Sequence, residues 1–260
     1  MHFYSVEAIL SIFSKSPDKR ETIKNEAKGF FFAFVIAMII RTFLYQPFSI
    51  PSSSMVPTLL VGDYLFVNKF AYGYCNHSFP FGPNLFSGRI LASEPKRGDV
   101  VVFFNPKHDN LDYIKRLVGL PGDRVQVIQG VLNINGQPVA LEKIEDFHTV
   151  DEQGRLRVIS QYIETLPGGI KHPIHKIVPF GKGRLDNTEE FHVPPGHYFM
   201  MGDNRDNSQD SRVESHVGFV PAENLIGRAD ILFFSTEAKW YRPWEWLLDL
   251  RYQRLLQLIK

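Results

Sequence analysis

Tyr113-Ile114-Lys115-Arg116-Leu117-Val118 reads as a β-strand with two cations at its centre, and the rest of the chain is read outward from it. β-Branched and aromatic residues favour a pleated, half-buried surface. Alternation sends Tyr113, Lys115 and Leu117 to one face and Ile114, Arg116 and Val118 to the other. Each face then mixes apolar and basic groups, so one cation must be buried or paired. Burial lowers a lysine pKa from ~10.4 by as much as several units and leaves a neutral amine able to take a proton. A guanidinium stays charged. Lys115 is therefore a candidate base, and Arg116 is not.

Comparable runs lie on both sides: Asp63–Asn68, Asp99–Phe104, Arg124–Ile128, Val131–Ile134 ahead of an Asn135-Gly136 turn, His197–Met201 and Ala229–Phe234. No amphipathic helix of useful length separates them, so the region beyond residue 47 is expected to be mostly antiparallel β. Residues 140–195 carry mixed charge and the turns Pro167-Gly168-Gly169 and Pro194-Pro195-Gly196, and read as an inserted smaller β subdomain. Its histidines 148, 172, 175, 192 and 197 lack metal-ligand spacing and are assigned to surface or hairpin positions.

With 260 residues and 44% hydrophobic content, the chain is large enough for a substantial core. A formal net charge of +1 points to no nucleic-acid partner. The single cysteine, Cys75, excludes an intramolecular disulfide and a cysteine-rich zinc site. Its surroundings, Gly73-Tyr74-Cys75-Asn76-His77, read as a turn rather than a nucleophile's setting.

Upstream, Phe30–Ile40 is an unbroken apolar run, extended past Arg41 by Thr42-Phe43-Leu44-Tyr45. It is short against the ~20 residues of a membrane-crossing helix, but Arg41 can snorkel to a head-group layer. The reading is one transmembrane anchor over 29–47. Lys15, Lys19, Arg20, Lys24 and Lys28 precede it, which places 1–28 in the cytoplasm and the remainder outside. A cleaved signal peptide ending at Ser52-x-Ser54 and a soluble helix are the alternatives. The long polar N-terminus and prolines 47, 51 and 57 favour a retained anchor. At the other end, within 239–260, Trp244, Leu247, Leu248, Arg251, Tyr252 and Leu255 recur near helical spacing. They predict a short amphipathic C-terminal helix, lying on membrane lipid or packed on the β domain.

Two polar segments complete the chemistry. Pro51-Ser52-Ser53-Ser54-Met55-Val56-Pro57 has a stiffened backbone that can present one serine hydroxyl beside another, although a serine-proline linker has the same composition. Gly202-Asp203-Asn204-Arg205-Asp206-Asn207-Ser208-Gln209-Asp210-Ser211-Arg212 follows a hydrophobic strand, so its carboxylates and arginines must pair, and Ser208 can hydrogen-bond a neutral amine. Asp206, Ser208 and Asp210 begin a calcium-loop spacing but lack its glycine and terminal glutamate. A serine protease triad through His216 and Asp206 is a weaker alternative, because the intervening residues read as loop.

Together the boxes Ser54-Met55-Val56-Pro57-Thr58-Leu59, Gly62-Asp63, Lys96-Arg97-Gly98-Asp99-Val100-Val101, 113–123 and Gly202–Arg212 resemble the bacterial type I signal peptidases, Ser/Lys proteases that remove signal peptides from exported preproteins. The resemblance runs from Gln46 to Phe234, with much of 140–195 and both termini unmatched. It implies Ser54 as nucleophile, Lys115 as general base, and Ser52 with the Ser54 N–H as oxyanion hole. It implies Ser208 as the group orienting the lysine, and the ion pairs Arg116–Asp203 and Asp210–Arg212. Ile50, Met55, Leu59, Tyr113 and Ile114 fall at positions lining pockets for small side chains. The implied fold is an all-β catalytic core of coiled antiparallel sheets over 48–139 and 196–238 with an inserted β domain. No cofactor is implied, and the implied partners are preproteins and membrane lipid, at the cytoplasmic (inner) membrane with the catalytic domain outside. Ser53 stands where a glycine is common in the family. A related Ser/Lys peptidase of other specificity, and a membrane-anchored β domain that only binds partners, are the competing readings.

Overall fold

The structure is a computed structural model that describes residues 19–79, 87–108, 111–150, 154–238, 242–246 and 248–260. Residues 1–18 of the N-terminal segment, and 239–241 and 247 of the C-terminal segment, lie outside the described residues. The chain divides into two units, Met1–Arg41 and Thr42–Lys260.

The described part of the first unit is helical, and here the expected anchor needs correction. Helix α1 spans Lys19–Phe43, starting earlier and ending sooner than the 29–47 anchor. Tyr45 to Pro47 belong instead to a strand. No described helix is long and apolar enough to cross a membrane. The physical reason is charge placement: Lys24, Glu26 and Lys28 precede the uncharged stretch Gly29–Ile40, and Arg41 closes it. Phe30, Phe31, Phe32 and Phe34 are all exposed, on successive sides of the helix rather than on one stripe.

The second unit is mainly antiparallel β. Its strands are β1 (Tyr45–Ser49), β2 (Asp63–Asn68), β3 (Val100–Phe104), β4 (Asp112–Gly119), β5 (Arg124–Ile128), β6 (Val131–Ile134), β7 (Gln137–Pro138), β8 (Ala140–Lys143), β9 (Phe147–Val150), β10 (Leu156–Leu166), β11 (Ile170–Lys176), β12 (Phe191–His192), β13 (His197–Met201), β14 (Val220–Pro221), β15 (Leu225–Ser235) and β16 (Gln257–Leu258). The main curled sheet runs β1-β2-β15-β3-β4-β13-β14, with β16 added to β15. A second sheet holds β11-β10-β8 with β9, and a third β12-β5-β6-β7. Within 140–195, therefore, β8 to β11 form a sheet of their own while β12 returns to β5.

Register explains how the central strand carries its charges. Val101 pairs with Lys115 and Val100 with Arg116 across β3 and β4. On its other side β4 pairs with β13 only from Arg116 to Gly119. The residues ahead of Arg116 thus keep one edge away from β13. Beneath them, Ile50, Met55, Leu59, Leu65, Val67 and Val102 form one apolar cluster. Val118, Val125, Leu132, Leu166 and Phe199 belong to a second under the other sheets.

The C-terminal helix is also corrected. After β15 the described residues form short 3-10 turns, Pro243–Glu245 and Tyr252–Arg254, and then β16. The arginines that resembled the polar face of a helix turn inward. Arg254 Nη2 donates to Asp63 Oδ2 at 2.5 Å, and Arg251 Nη1 donates to the Val61 carbonyl at 3.0 Å. Buried Asp63 thus fixes an irregular strap where periodicity predicted a helix.

Two of the histidines assigned to surface or hairpin positions sit on the β10–β11 hairpin but are buried. His172 and His175 on β11 are each 1% exposed. His175 Nε2 lies 2.7 Å from Gln161 Nε2, and burial lowers its pKa to about 4. Three positions apart on β11, they face opposite sides of the strand, and both sides are covered there, because residues 174–176 are all buried.

Candidate active site

The serine segment connects β1 to β2 and is pinned at both ends. Ile50 N donates to the Asp63 carbonyl at 2.8 Å and Leu60 N to Asp63 Oδ2 at 2.8 Å. Met55 and Leu59, both fully buried, anchor the turn in the apolar cluster below. They are floor rather than wall: Ile50, Tyr113 and Ile114 line the cleft above, and Met55 and Leu59 do not. From the far side, the loop after β13 grips the same segment. Asn204 N donates to the Ser54 carbonyl at 3.0 Å, Asn204 Nδ2 to the Ser53 carbonyl at 3.1 Å, and Asn207 Nδ2 to Ser53 Oγ at 2.8 Å.

These constraints bring Ser54 Oγ to 2.7 Å from Lys115 Nζ, with Ser54 8% and Lys115 4% exposed. The amine also donates to its neighbouring Ile114 carbonyl at 2.9 Å. Burial lowers the Lys115 pKa to about 8, against the upward pull of Asp210 and Asp203 and with help from Arg212. A buried amine of that pKa is substantially neutral just above physiological pH and has a hydroxyl in reach. Ser52 is exposed, and its Oγ lies 3.4 Å from Ser54 Oγ.

Arg116, fully buried on the other face of β4, makes the paired bonds that its planar fork allows. Its Nε donates to Asp203 Oδ1 at 2.9 Å and its Nη2 to Asp203 Oδ2 at 2.8 Å, while Nη1 donates to the Gly98 carbonyl at 2.7 Å. Burial alone would raise the Asp203 pKa, but Arg116 and His172 hold it well below the usual carboxylate range. Arg212 binds Asp210 in the same way, through Nε to Oδ1 and Nη2 to Oδ2, both at 2.8 Å. Burial pushes the Asp210 pKa up, and Arg212 outweighs it, so that carboxyl is also held low.

Ser208 lines the same cleft, but its buried Oγ makes no hydrogen bond with the Lys115 amine and lies by Asp210 instead. The two bonds of the lysine amine go to Ser54 and the Ile114 carbonyl, so the expected lysine-orienting bond from Ser208 is absent from this arrangement. Gly202 makes room for the contact between loop and serine. A Cβ there would lie 2.2 Å from Ser208 Oγ and 2.6 Å from the Ser54 carbonyl oxygen. Gly202→Ala must therefore displace both. A loss of stability of about 1–3 kcal/mol is expected on thermal unfolding, with a larger proportional loss of activity than of fold.

Sequence reasoning missed a buried polar network behind the serine–lysine pair. His172 Nδ1 lies 3.3 Å from Asp203 Oδ1, and its Nε2 lies 3.2 Å from Glu164 Oε2. Glu164 accepts both Arg205 bonds, at 2.8 and 2.5 Å. Burial would raise the Glu164 pKa, yet Arg205 and His172 bring it down to about 2. Two signals pointed to it: an acid in the otherwise apolar end of β10, and an arginine in the polar run lacking an assigned partner. The alternative triad does not form. Asp206 accepts from Lys176 Nζ and from the N–H groups of Ile177 and Val178, each at 2.8 Å for the latter two, while the His216 ring lies 5.7 Å from that of His108. Cys75 is buried in the core, 1% exposed.

Comparison with known proteins places the chain in a family. The family model "Signal peptidase, peptidase S26" matches residues 23–234. Signal peptidase I of Rickettsia typhi (strain ATCC VR-144 / Wilmington) is 45% identical over 228 residues, covering 85% of this chain and 84% of that protein. Signal peptidase I of Rickettsia prowazekii (strain Madrid E) is 43% identical over 230 residues, covering 86% and 85%. A solved signal peptidase I from Enterococcus faecalis V583 covers 52% of this chain and 97% of its own at 25% identity, with a TM-score of 0.30 that carries no weight for the fold. The family match spans residues 23–234, including both members of the buried serine–lysine pair, and the chain belongs to the signal peptidase family, peptidase S26.

Proposed function

We propose that this chain removes signal peptides from exported preproteins with Ser54 as nucleophile and Lys115 as general base. The observation that carries the reading is the 2.7 Å contact between two buried groups, one of them an amine whose pKa burial has lowered to about 8. Neutral Lys115 takes the Ser54 proton as Oγ attacks the scissile carbonyl, then hands that proton to the departing amine. Lys115, neutral again, takes a proton from the water that hydrolyses the acyl-enzyme. The developing oxyanion is met by the Ser54 N–H, which no acceptor among the described residues takes up, and by the Ser52 hydroxyl. Arg116–Asp203 and Asp210–Arg212 hold the strand and loop around the dyad, and the Ser208 hydroxyl is the group that orients the amine once substrate fills the cleft.

The preprotein lies as an added strand. Support comes from two strand edges at the cleft: β1, the edge of the main sheet, and β4 ahead of Arg116, where β13 does not pair. Ile50, Tyr113 and Ile114 form an apolar wall suited to small side chains of the Ala-x-Ala kind. Attachment to the cytoplasmic membrane is through α1. Its exposed Phe30–Ile40 stretch enters lipid, with Lys28 and Arg41 reaching head groups and the basic N-terminal turns on the cytoplasmic side. Residues 140–195 serve as a subdomain inserted between the two parts of the catalytic core.

The test incubates detergent-solubilised protein with a preprotein carrying Ala-x-Ala and with one carrying bulky residues at those positions. Mass spectrometry is expected to find one cut, after the second alanine, in the first substrate alone. Equal cutting of both, or of neither, contradicts the proposal. Ser52→Ala, which removes one oxyanion donor, is expected to lower kcat about 10²-fold with little change in KM. The pH dependence follows from Lys115: kcat/KM should be low where the amine is protonated, climb as pH rises through about 8, and level off above it.

A further inference from the structure

We propose that Arg184 is a specificity residue that reads an acidic side chain in the mature part of the substrate, just beyond the scissile bond. The proposal rests on the Ser54–Lys115 reading of the cleft and adds a preference to it.

The cleft, about 670 Å³, has two kinds of wall. Ile50 and Val102 lie in the apolar core, and Phe48 and Ile114 pack against it. The other wall is polar and includes Arg184, Asn207 and Gln209. Asn207 is bonded to Ser53, which places this wall beside the nucleophile segment. If the apolar wall takes the signal-peptide residues, the chain leaving past Ser54 runs along the polar wall.

Arg184 is exposed at that wall, and neither a hydrogen bond nor an ion pair engages its guanidinium among the described residues. The acids near it are already occupied. Lys176, buried, bonds both Asp186 Oδ1, at 2.8 Å, and Asp206. Asp186 Oδ2 also accepts from Gly183 N at 2.8 Å, and Asp206 Oδ2 accepts from Ile177 N and Val178 N. This buried clamp ties the turn carrying Arg184 to the loop carrying Asn207 and Ser208. A Cβ at Gly183 would lie 2.7 Å from both Asp186 Oδ1 and Asp206 Oδ1, so the turn is closely seated there. A cation held at a cleft wall with its neighbouring carboxylates engaged elsewhere is free to pair with an incoming one.

The experiment uses the full chain in detergent and a preprotein-derived peptide with Asp, Asn or Lys placed in turn at the first, second and third residue after the cut. At one of these positions wild type should cleave the Asp peptide about three- to fivefold faster in kcat/KM than the Asn peptide, the scale of one solvent-exposed ion pair. The Lys peptide should be slower still. The difference should shrink in high salt. Arg184→Ala should level the three peptides, and Arg184→Glu should reverse their order, both with unchanged rates on the Asn peptide. An Asp-to-Lys ratio that is the same in wild type and both variants at all three positions overturns the proposal. Failure to cut any peptide, the Asn peptide included, defeats instead the Ser/Lys reading on which it rests.

Discussion

Replacing Ser54 with alanine is expected to leave a folded protein whose cleavage of a preprotein falls by at least about 10⁴-fold, and replacing Lys115 with methionine is expected to do the same. Groups that act as a unit lose nearly the whole rate enhancement when either is removed. Here the unit is one hydrogen bond, 2.7 Å long. In the proposed mechanism Ser54→Ala removes the atom that forms the acyl bond, and Lys115→Met removes the amine in contact with it while keeping a similar volume. Lys115→Arg should not restore activity, because the guanidinium does not deprotonate.

The two variants should part company in stability. The Lys115 pKa is about 8 in the fold and ~10.4 in the unfolded chain, so the fold disfavours the ammonium. Below pH 8 the cation costs the native state roughly 3 kcal/mol, an upper figure that declines between pH 8 and 10.4 and vanishes above. Lys115→Met should therefore unfold at a higher temperature than wild type at pH 7, with the gain fading as pH rises past 10. Ser54→Ala should change stability little. A methionine variant that is both inactive and unstable would point to lost structure instead of lost chemistry.

The second large effect concerns the pair behind the dyad. Arg116 is fully buried, and Asp203 accepts two of its N–H groups. Removing one member of such a pair strands the other charge and costs about 3–5 kcal/mol. Asp203→Ala and Arg116→Ala should each lower Tm by roughly 10 °C. Activity in the surviving fold should also fall, because β4 and the loop after β13 are joined at this point. The double variant Arg116→Met/Asp203→Leu should be more stable than either single one, since no unpaired charge remains. The sign with pH is fixed by the carboxylate. The native Asp203 pKa lies far below ~3.9, so its contribution is complete above about pH 4 and is lost as pH falls further. Wild type should lose stability on acidification below pH 4, and Asp203→Ala should lose less.

Much of this was visible in the sequence where local rules act. Period-2 alternation around Lys115 and Arg116 put the two cations on opposite faces, and the structure has them there: one meets a hydroxyl, the other a carboxylate. The serine segment and the polar run were visible as composition, but only long-range pairing brings them together, 61 residues apart in the case of Ser54 and Lys115. What remained illegible depended on tertiary burial. His172 and Glu164 lie eight positions apart on paired strands, and nothing in their neighbours announced that both would be enclosed. The C-terminal residues misled because helical spacing of tryptophan, leucine and arginine was a local signal. Attraction of Arg254 to buried Asp63 across 191 positions prevailed over it. The apolar run Gly29–Ile40 was read correctly as helix and incorrectly in extent, since α1 continues through charged residues that hydropathy alone assigned to a separate segment.

The amine's own protonation tests all of this most directly. Protein labelled with ¹³C at lysine Cε, with Lys115 assigned by its loss in Lys115→Met, can be titrated by NMR. A midpoint near 8, moving when Ser54 is acylated by an inhibitor, is the expected result. A midpoint near ~10.4, indistinguishable from surface lysines and indifferent to acylation, would contradict it.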